Sequence, residues 1–346
     1  MRLPKVNVFS AILPWEYWNT WLIYLPLWPF WLYYSWKNRS VYFFQKTNPG
    51  ISFGGMAMQS KREIYDLLPP ETFPLSRYLN VEEKENFDFS TLPEFPFVVK
   101  PNEGLKGLGV KFINSNAELE AYFKKNDLNV IIQEKISLPL ELGIFYARFP
   151  SCEKGFITGI TQKKYMQVQG DGVLTVRELA MKNERIRRQL RFLEKSDPDL
   201  LNLIPLMDET ISLLSIGSHT RGAEFIDVTT RYQEAIFPYI DDIATKIPGF
   251  YYGRFDILCE IEGSPLRIKQ AKIIELNGAM SEPIHMYDPK NSLLYAWKEI
   301  HRHWKIMSQI AFQNRQVPYR KHRFWNGLKR IFQNLRLEKD LKNKMG

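Results

Sequence analysis

Two short segments, 253–258 (GRFDIL) and 273–278 (IIELNG), constrain the fold of this chain more than any other part. Each is rich in apolar residues of the kind that form buried strands, and each presents side chains with oxygen ligands. Glu275 and Asn277 are two residues apart and therefore point to the same face of a strand, while Asp256 lies in the other segment. Two carboxylates and an amide oxygen on neighbouring strands suit a hard cation such as Mg²⁺. The alternative is a surface hairpin whose polar residues face water.

The length of 346 residues is enough for one large domain or two modest ones. Cys152 and Cys259 lie far apart without the spacing of metal ligands, which argues against disulfides or a zinc site and is typical of a reducing compartment. The net charge of +9 is concentrated in residues 315–346, which hold ten Lys or Arg but only Glu338 and Asp340 as acids. We therefore expect the basic character to belong to a tail rather than to the body of the protein.

Residues 13–36 hold six of the nine Trp, and no charged residue occurs from Tyr17 to Trp36. This stretch of about twenty residues has the length that spans a bilayer. Pro26 and Pro29 would interrupt a straight helix, however, and Trp and Tyr favour the headgroup level. A spanning segment, a re-entrant or in-plane segment and a soluble aromatic core element all remain open, whereas a signal peptide is disfavoured because no small-residue cleavage site follows. We expect membrane contact on the cytoplasmic side, by a peripheral or single-segment anchored protein.

The carboxyl-terminal region predicts two amphipathic helices. Residues 293–313 have the pattern of a helix packed on the body. Beyond Pro318, residues 323–332 combine apolar and basic faces, which suits an anionic membrane surface. Nucleic acid is the rival partner of such a patch, and we consider it unlikely because the other end of the chain also favours a membrane.

A glycine-rich loop follows the strand predicted over 95–100. Lys100 ends that strand, and Gly104, Gly107 and Gly109 follow before strand character resumes. Such a loop lets backbone N–H groups approach a polyphosphate, and the lysine adds positive charge. Strands paired by hairpins and crossed by helices predict an α+β architecture rather than a parallel doubly wound sheet.

The order of these elements resembles the ATP-grasp superfamily of carboxylate–amine ligases over residues 55–290, with D-alanine–D-alanine ligase and the ATP-grasp part of cyanophycin synthetase as the nearest likenesses. The motifs that carry this resemblance are 59–61 (QSK), 97–101 (FVVKP), 133–136 (QEKI), 170–172 (GDG) with Thr175 and 178–179 (EL), and 221–227 (RGAEFID). The resemblance implies two α+β subdomains that clasp ATP.

The resemblance also implies a role for each candidate residue. ATP would be bound by Lys61, Lys100, the loop glycines Gly104, Gly107 and Gly109, the hinge residues Glu134, Lys135 and Ile136, and the ribose-binding Glu141. Lys100 and Arg254 would be catalytic, with Arg254 stabilising charge on the transferred phosphoryl group and the acyl intermediate. Asp256, Glu275 and Asn277 would hold Mg²⁺, for which Mn²⁺ could substitute.

Five regions follow from these assignments. They are an aromatic membrane-associated segment (1–46), a remnant of the preceding region with a linker (47–92), a small ATP-grasp subdomain (93–150), a large subdomain with the metal site and substrate loops (151–290), and a helical basic tail (291–346).

The implied reaction is phosphorylation of a substrate carboxylate by ATP, followed by attack of an amine to form a C–N bond. Residues 278–285 (GAMSEPIH) replace the Ser-Pro-Gly run of D-alanine–D-alanine ligases, so their substrate is not carried over to this chain. The alternatives are an ATP-grasp phosphotransferase acting on a membrane-delivered substrate and a non-catalytic membrane adaptor. His219 and His285 are expected in substrate-side loops, with a structural or surface role favoured over proton transfer.

Overall fold

The computed structural model describes residues 14–84, 87, 94–104, 107–213, 222–318 and 324–345. Its strands are β1 (Ser76–Leu79), β2 (Phe97–Pro101), β3 (Lys111–Ile113), β4 (Val130–Glu134), β5 (Leu140–Ala147), β6 (Phe156–Lys164), β7 (Gln167–Gln169), β8 (Thr210–Ser212), β9 (Glu224–Asp227), β10 (Tyr252–Glu262) and β11 (Arg267–Asn277). Its helices are α1 (Thr20–Tyr24), α2 (Trp28–Lys37), α3 (Lys61–Tyr65), α4 (Asn116–Lys124), α5 (Val176–Met181), α6 (Glu184–Arg187), α7 (Leu190–Ser196), α8 (Pro198–Asn202), α9 (Thr229–Lys246), α10 (Leu293–Gln313) and α11 (Phe324–Met345). The predicted α+β architecture is confirmed, because the strands of the described residues pair in antiparallel sheets.

The smaller of the two main sheets has the strand order β1-β4-β2-β3. Phe97 and Val99 of β2 are two residues apart and fully buried, as the period of a strand requires. They pack in one apolar cluster with Leu119 and Tyr122 of α4, whose first turn is capped by Ser115. This packing fixes the direction in which β2 delivers Lys100.

The larger sheet has the order β11-β10-β5-β6-β9. Its long hairpin, β10 and β11, turns near Gly263, whose φ of +88° favours glycine. The amphipathic helix α9 buries Ile236 and Ile240 in the cluster that also holds Ile144 and Phe255 of the sheet. Segments 253–258 and 273–278 therefore lie on adjacent strands that are supported by this buried cluster.

Two strands fall outside the predicted subdomain boundaries. β1 belongs to the small sheet although it lies in the region 47–92, and β5 belongs to the large sheet although it lies in 93–150. The physical reason is register: β5 pairs along its length with both β10 and β6, so the change of sheet occurs between β4 and β5 rather than at residue 150.

The aromatic segment is broken where its prolines predict. α1 and α2 are separated by a 3-10 turn, Leu25–Leu27, that contains Pro26. Ile23 and Leu27 are buried against α10 in a cluster with Ile300. Among the described residues, no helix is long and apolar enough to cross a membrane.

The basic tail is helical as predicted, but α11 packs on the body rather than standing apart from it. Arg330 Nη2 donates to the Met58 carbonyl at 3.0 Å, and Asn334 Oδ1 accepts from the Met58 backbone at 3.0 Å. Lys344 Nζ lies 3.1 Å from Asp127 Oδ2 of the small subdomain. The sequence pattern predicts an amphipathic helix but not what its apolar face contacts, and in the structure Ile331 of that face packs against the apolar cluster that holds Phe43 and Phe53.

The GDG…T…EL motif folds as a turn and a helix cap. Asp171 Oδ1 accepts from the backbone of Val173 and Leu174, and Gly172 has a φ of +72°. Thr175 and Glu178 form a capping box at the start of α5. These hydrogen bonds account for the motif by local structure alone.

Candidate functional site

A cleft of about 1530 Å³ is lined by residues of both main sheets. The predicted site residues that line it are Lys61, Lys100, Gly104, Gly107, Glu134, Lys135, Ile136, Glu141, Arg254, Asp256, Glu275 and Asn277. Gly109 is not among the described residues that line it. Its φ is +74° and its carbonyl accepts a hydrogen bond from Tyr122 Oη at 2.7 Å, so Gly109 supports the conformation of the loop without lining the cleft.

The predicted metal ligands meet on the β10–β11 hairpin. Asp256 pairs directly with Glu275, and Arg254 pairs with Asn277 two residues away. Directly opposed residues of an antiparallel pair have Cβ atoms about 4.5–5.5 Å apart on the same face of the sheet. The hairpin register therefore brings both carboxylates and the amide to one patch of the cleft wall.

Asp256 is the most enclosed of these groups, at 2% exposure. Arg254 Nε lies 2.7 Å from Asp256 Oδ1, and Lys163 Nζ lies 3.1 Å from Asp256 Oδ2. Burial alone would raise the pKa of Asp256, but Arg254 and Lys163 outweigh it and hold that pKa below its usual value. Asp256 is thus ionised and oriented before any ligand arrives.

Lys163 of β6 joins Asp256 to the predicted ribose carboxylate. Its Nζ lies 2.8 Å from Glu141 Oε1, and Tyr165 Oη donates to Glu141 Oε2. Burial would lower the pKa of Lys163, but the charges of Asp256 and Glu141 outweigh it and raise that pKa above its usual value. Lys163 therefore carries a permanent positive charge between the two carboxylates.

Lys100 is buried with its ammonium fully engaged. Its Nζ donates to Tyr65 Oη at 2.8 Å, to Gln133 Oε1 at 2.9 Å and to the Ile274 carbonyl at 3.1 Å. Burial lowers the pKa of Lys100 to about 8, although the nearby Glu275 carboxylate opposes the shift. A phosphate group beside Lys100 would raise this pKa again, because a nearby negative charge favours the charged lysine.

Lys61 is placed by a short capped helix, as its sequence predicts. Ser60 Oγ accepts from the Glu63 backbone at 3.2 Å, and Lys61 begins α3. Lys61 Nζ lies 3.4 Å from the Gly104 carbonyl, so this lysine reaches the glycine-rich loop. Burial lowers the pKa of Lys61, again against the attraction of Glu275.

The predicted hinge leaves the small sheet at the end of β4. Glu134 Oε1 accepts from the Leu75 backbone at 2.9 Å, so this side chain ties the hinge to the segment before β1. Lys135 Nζ lies 5.6 Å from the centre of the Phe112 ring. The side chains of Glu134 and Lys135 thus have local partners, and the polypeptide backbone remains the part suited to a planar ligand.

The donor set of the hairpin fits a magnesium ion. Carboxylate and amide oxygens are the ligands that this ion prefers. The Glu275 carboxylate has no hydrogen bond or ion pair to the residues that the structure describes, and Asn277 Nδ2 is buried without a hydrogen-bond partner in that same part of the chain. Buried polar groups are usually satisfied, and rotation of the amide exchanges its nitrogen for its oxygen. Asp256, Glu275 and Asn277 could therefore hold the ion.

Sequence reasoning missed several polar residues of the cleft. These residues are Tyr65, Lys163, Tyr165 and Glu282. The available signal was a lysine in an otherwise buried strand, since Lys163 follows the buried residues of β6. Its partners lie on other strands and could not be read from local pattern.

His285 lies in the predicted loop, in the 3-10 turn Ile284–Tyr287. It is buried, and its Nε2 lies 3.0 Å from Glu299 Oε2, which Arg302 Nη2 also contacts at 2.7 Å. This network favours a structural role for His285. His219 and Arg221 lie outside the described residues.

Comparison with solved structures finds ligases. A bifunctional glutathione synthetase from Pasteurella multocida is 16% identical with a TM-score of 0.36, covering 70% of this chain and 35% of that one. The VanG D-Ala:D-Ser ligase from Enterococcus faecalis is 12% identical with a TM-score of 0.38, covering 71% and 61%. A D-alanine–D-alanine ligase from Bacillus anthracis, complexed with ATP, is 17% identical with a TM-score of 0.37, covering 76% and 67%.

The solved structures similar to this chain thus include the kind of ligase that its sequence resembles. The chain spans about a third of the glutathione synthetase and less than two thirds of the D-Ala:D-Ser ligase. No family model matches the chain, and no curated protein matches it. Because the TM-scores lie below 0.5, the proposal that follows rests on the residues of the cleft.

Proposed function

We propose that this chain is an ATP- and Mg²⁺-dependent ligase that activates a substrate carboxylate as an acyl phosphate and joins it to an amine. The observation that carries the proposal is the cleft, in which Lys61, Lys100 and Arg254 surround the paired Asp256 and Glu275. Fixed cations in a partly dry cleft are suited to the charge of a polyphosphate and to its transfer.

In the proposed reaction a carboxylate oxygen of the substrate attacks the γ-phosphorus of ATP, and ADP leaves. The amine nitrogen then attacks the acyl carbon, phosphate leaves, and the amine loses a proton. Arg254, held by Asp256, is positioned to stabilise charge on the transferred phosphoryl group. Mg²⁺, or Mn²⁺, held by Asp256, Glu275 and Asn277, would supply further positive charge to the phosphates.

The remaining residues would position the nucleotide. Lys61 and Lys100 face the phosphates, and Gly104 and Gly107 let the loop backbone approach them. The backbone at 134–136 binds the adenine. Glu141 binds the ribose while keeping Lys163, since a carboxylate accepts several hydrogen bonds at once.

The test is turnover with defined pools of carboxylates and amines. We expect conversion of ATP to ADP and free phosphate that depends on both pools, with a condensed product in mass spectrometry. Turnover that leaves phosphate on one substrate and ignores the amine pool would contradict ligation and identify a phosphotransferase. No ATP turnover with any pool would contradict both.

A matched pair of variants connects the activity to this cleft. Arg254→Met removes the cation at the metal patch, whereas Lys269→Met removes an exposed cation from the same hairpin, paired with Glu260 and Glu262. We expect Arg254→Met to lose about a hundredfold or more in kcat/KM, the typical cost of removing one group that stabilises transition-state charge. Lys269→Met should retain wild-type turnover, and equal loss in both would argue against this site.

We further propose that the protein works at the cytoplasmic surface of an anionic membrane. This proposal is supported by large apolar side chains that point to solvent, namely Leu22, Tyr33 and Trp36 of the aromatic segment and Trp325 of α11, with exposures of 58%, 52%, 77% and 75%. Such residues, flanked by a basic helix, favour the headgroup region. We expect the protein to float with anionic vesicles but not with neutral ones, and a Trp36→Ser/Trp325→Ser variant to float less. Binding to duplex DNA at moderate salt without any flotation would contradict the membrane proposal.

A further inference from the structure

The cleft continues well beyond the nucleotide site. Its volume of about 1530 Å³ exceeds the range of about 300–1000 Å³ typical of a pocket for one small ligand. The same cavity is lined by Lys61, Lys100 and Asp256 and also by residues of the aromatic segment and of α11. A second ligand can therefore lie end to end with ATP in the same cavity.

The distant end of the cleft has two apolar walls. Trp21, Tyr24, Trp28 and Leu32 of the aromatic segment line the cavity at helical spacing, and Leu328 belongs to a run of lining residues on one face of α11. Of the described lining residues, none in 17–44 or 324–337 is charged. The walls thus select an uncharged apolar ligand.

The most exposed of these wall residues are distinct from those that stabilise the fold. Ile23 and Leu27, which alternate with them along the segment, are buried against α10 at 1% and 5% exposure. Leu32, by contrast, is 59% exposed and Trp21 is 66% exposed although both line the cavity. Packing within the protein accounts for the first pair only. Exposed apolar surface that lines a concave site marks a place for a ligand.

A polar junction connects the two ends of the cleft. Tyr24 Oη donates to Glu282 Oε1 at 2.7 Å, and Tyr287 Oη donates to Glu282 Oε2 at 3.3 Å. Glu282 lies five residues after Asn277 of the metal patch, and it lines the cleft beside Arg254. A polar head group at this junction would face the phosphoryl end, and an apolar chain attached to it would extend between the two walls.

We propose, on the basis of the function proposed above, that one substrate of this ligase is an amphiphile with a single long apolar chain. Its reacting head lies at Arg254 and Glu282, and its chain lies between the aromatic segment and α11. This arrangement assigns a task to the aromatic segment and to α11.

The test uses stearate carrying a nitroxide near the end of its chain, a group that quenches tryptophan fluorescence on contact. The probe is added below its micelle concentration to the full-length protein, whose Trp21 and Trp28 line the proposed chain site. We expect saturable quenching that unlabelled stearate reverses. Quenching that rises linearly without saturation, or no quenching, would overturn the proposal.

Matched variants separate the chain site from general surface hydrophobicity. Leu32 and Leu25 are 59% and 63% exposed on the same segment, but only Leu32 lines the cleft. We expect Leu32→Glu to weaken probe binding at least tenfold and Leu25→Glu to leave it unchanged. Equal effects, or none in either variant, would overturn the proposal.

A second pair on the other wall guards against misfolding of one variant. Leu328 lines the cleft, whereas Leu335 on the same helix is 50% exposed and does not. Leu328→Glu should weaken binding, and Leu335→Glu should not.

Binding of a fluorescent ATP analogue to the wild-type protein is measured in parallel. If this analogue fails to bind while stearate binds with the expected variant pattern, the ligase proposal fails and the chain site stands. If the analogue binds and stearate does not, the chain site alone is overturned.

Discussion

Asp256 lies directly opposite Glu275 in the β10–β11 hairpin, yet the two carboxylates differ in their surroundings. Asp256 is held by Arg254 and Lys163 at 2.7 and 3.1 Å, whereas Glu275 has no such contact among the described residues. Asp256 therefore contributes to the folded framework as well as to the metal patch, whereas Glu275 contributes to the metal patch alone.

This difference predicts separate effects for the two substitutions. Glu275→Gln should leave the free energy of unfolding nearly unchanged but reduce Mg²⁺-dependent ATP turnover about a hundredfold or more. Asp256→Asn should reduce both, because it removes the carboxylate that Arg254 contacts and one of the two carboxylates that Lys163 contacts. Initial rates across a Mg²⁺ titration and urea denaturation check the pair, and Glu260→Gln on the exposed part of β10 is the control. Equal stability loss in the Glu275 and Asp256 variants would contradict the assignment.

A second prediction concerns Lys163, which bridges Glu141 and Asp256. Lys163→Met should cost about 3–5 kcal/mol of unfolding free energy at pH 7, since two buried carboxylates lose their shared cation. The neighbouring Lys164 is exposed, so Lys164→Met should change stability by less than about 0.5 kcal/mol.

The pH dependence of that loss has a defined sign. In the wild-type protein the pKa of Asp256 is below its usual value, so its stabilisation is complete above pH 3.8 and is lost as the pH falls further. Without Lys163 the carboxylates bind protons more readily, and the gap between variant and wild type should narrow as the pH falls from 7 towards 4. Denaturation curves at both values provide the measurement, and a constant gap would contradict the bridging role.

Lys100 gives the third prediction. Because burial lowers its pKa to about 8, ATP should bind more weakly as the pH rises above this value, and binding near pH 8 to 9 should take up a proton. Calorimetry in two buffers with different ionisation enthalpies measures that uptake, which Lys100→Met should abolish together with most of the ATP affinity. An affinity independent of pH between 7 and 9.5 would contradict it.

The same shift in the pKa of Lys100 has an opposite consequence for stability. Between about pH 8 and 10.5 the unfolded chain binds more protons than the folded one, so this group makes the fold more stable as the pH rises through that window. At pH 7 the charged, buried Lys100 costs roughly 3 kcal/mol, and Lys100→Met should not destabilise the protein. Loss of ATP binding without loss of stability distinguishes a functional lysine from a structural one.

The parts of the site that sequence predicted are those set by local pattern. The two-residue spacing places Glu275 and Asn277 on one face of β11, and a serine before an amphipathic run places Lys61 at a helix start. Such features depend on residues within one turn or one strand. They could therefore be inferred without knowing the neighbours of each element.

The parts that sequence did not predict depend on pairing between distant elements. Lys163 meets Asp256 only because β6, β5 and β10 align in one register, which no local rule specifies. Likewise an amphipathic pattern does not say whether the apolar face of α11 meets lipid or protein, and here it lies over the cleft. The aromatic segment posed the same ambiguity, which its helix break and its contacts with α10 partly resolve.

The last prediction concerns the backbone hydrogen bonds between residues 54–55 and the residues that follow β11. The backbone N–H of Ala279 donates to the Gly54 carbonyl at 2.9 Å, and that of Met280 donates to the Gly55 carbonyl at 3.2 Å. This approach requires glycine, because a Cβ at Gly278 would lie 2.6 Å from the Gly54 carbonyl oxygen. Gly278→Ala should force the two backbones apart, at a cost of about 1–3 kcal/mol.

The separation should also weaken Mg²⁺-dependent turnover, since Gly278 directly follows the metal ligand Asn277. Gly104→Ala is the stability control, because its added Cβ would meet no atom closer than 3.6 Å and should change the unfolding free energy little. Urea denaturation gives the stability of both variants, and limited proteolysis reports whether residues 50–58 become accessible in Gly278→Ala alone. Equal unfolding free energies in the two variants would contradict this prediction. They would show that the contact between residues 54–55 and 278–280 can open without loss of stability, and that the metal patch does not depend on it.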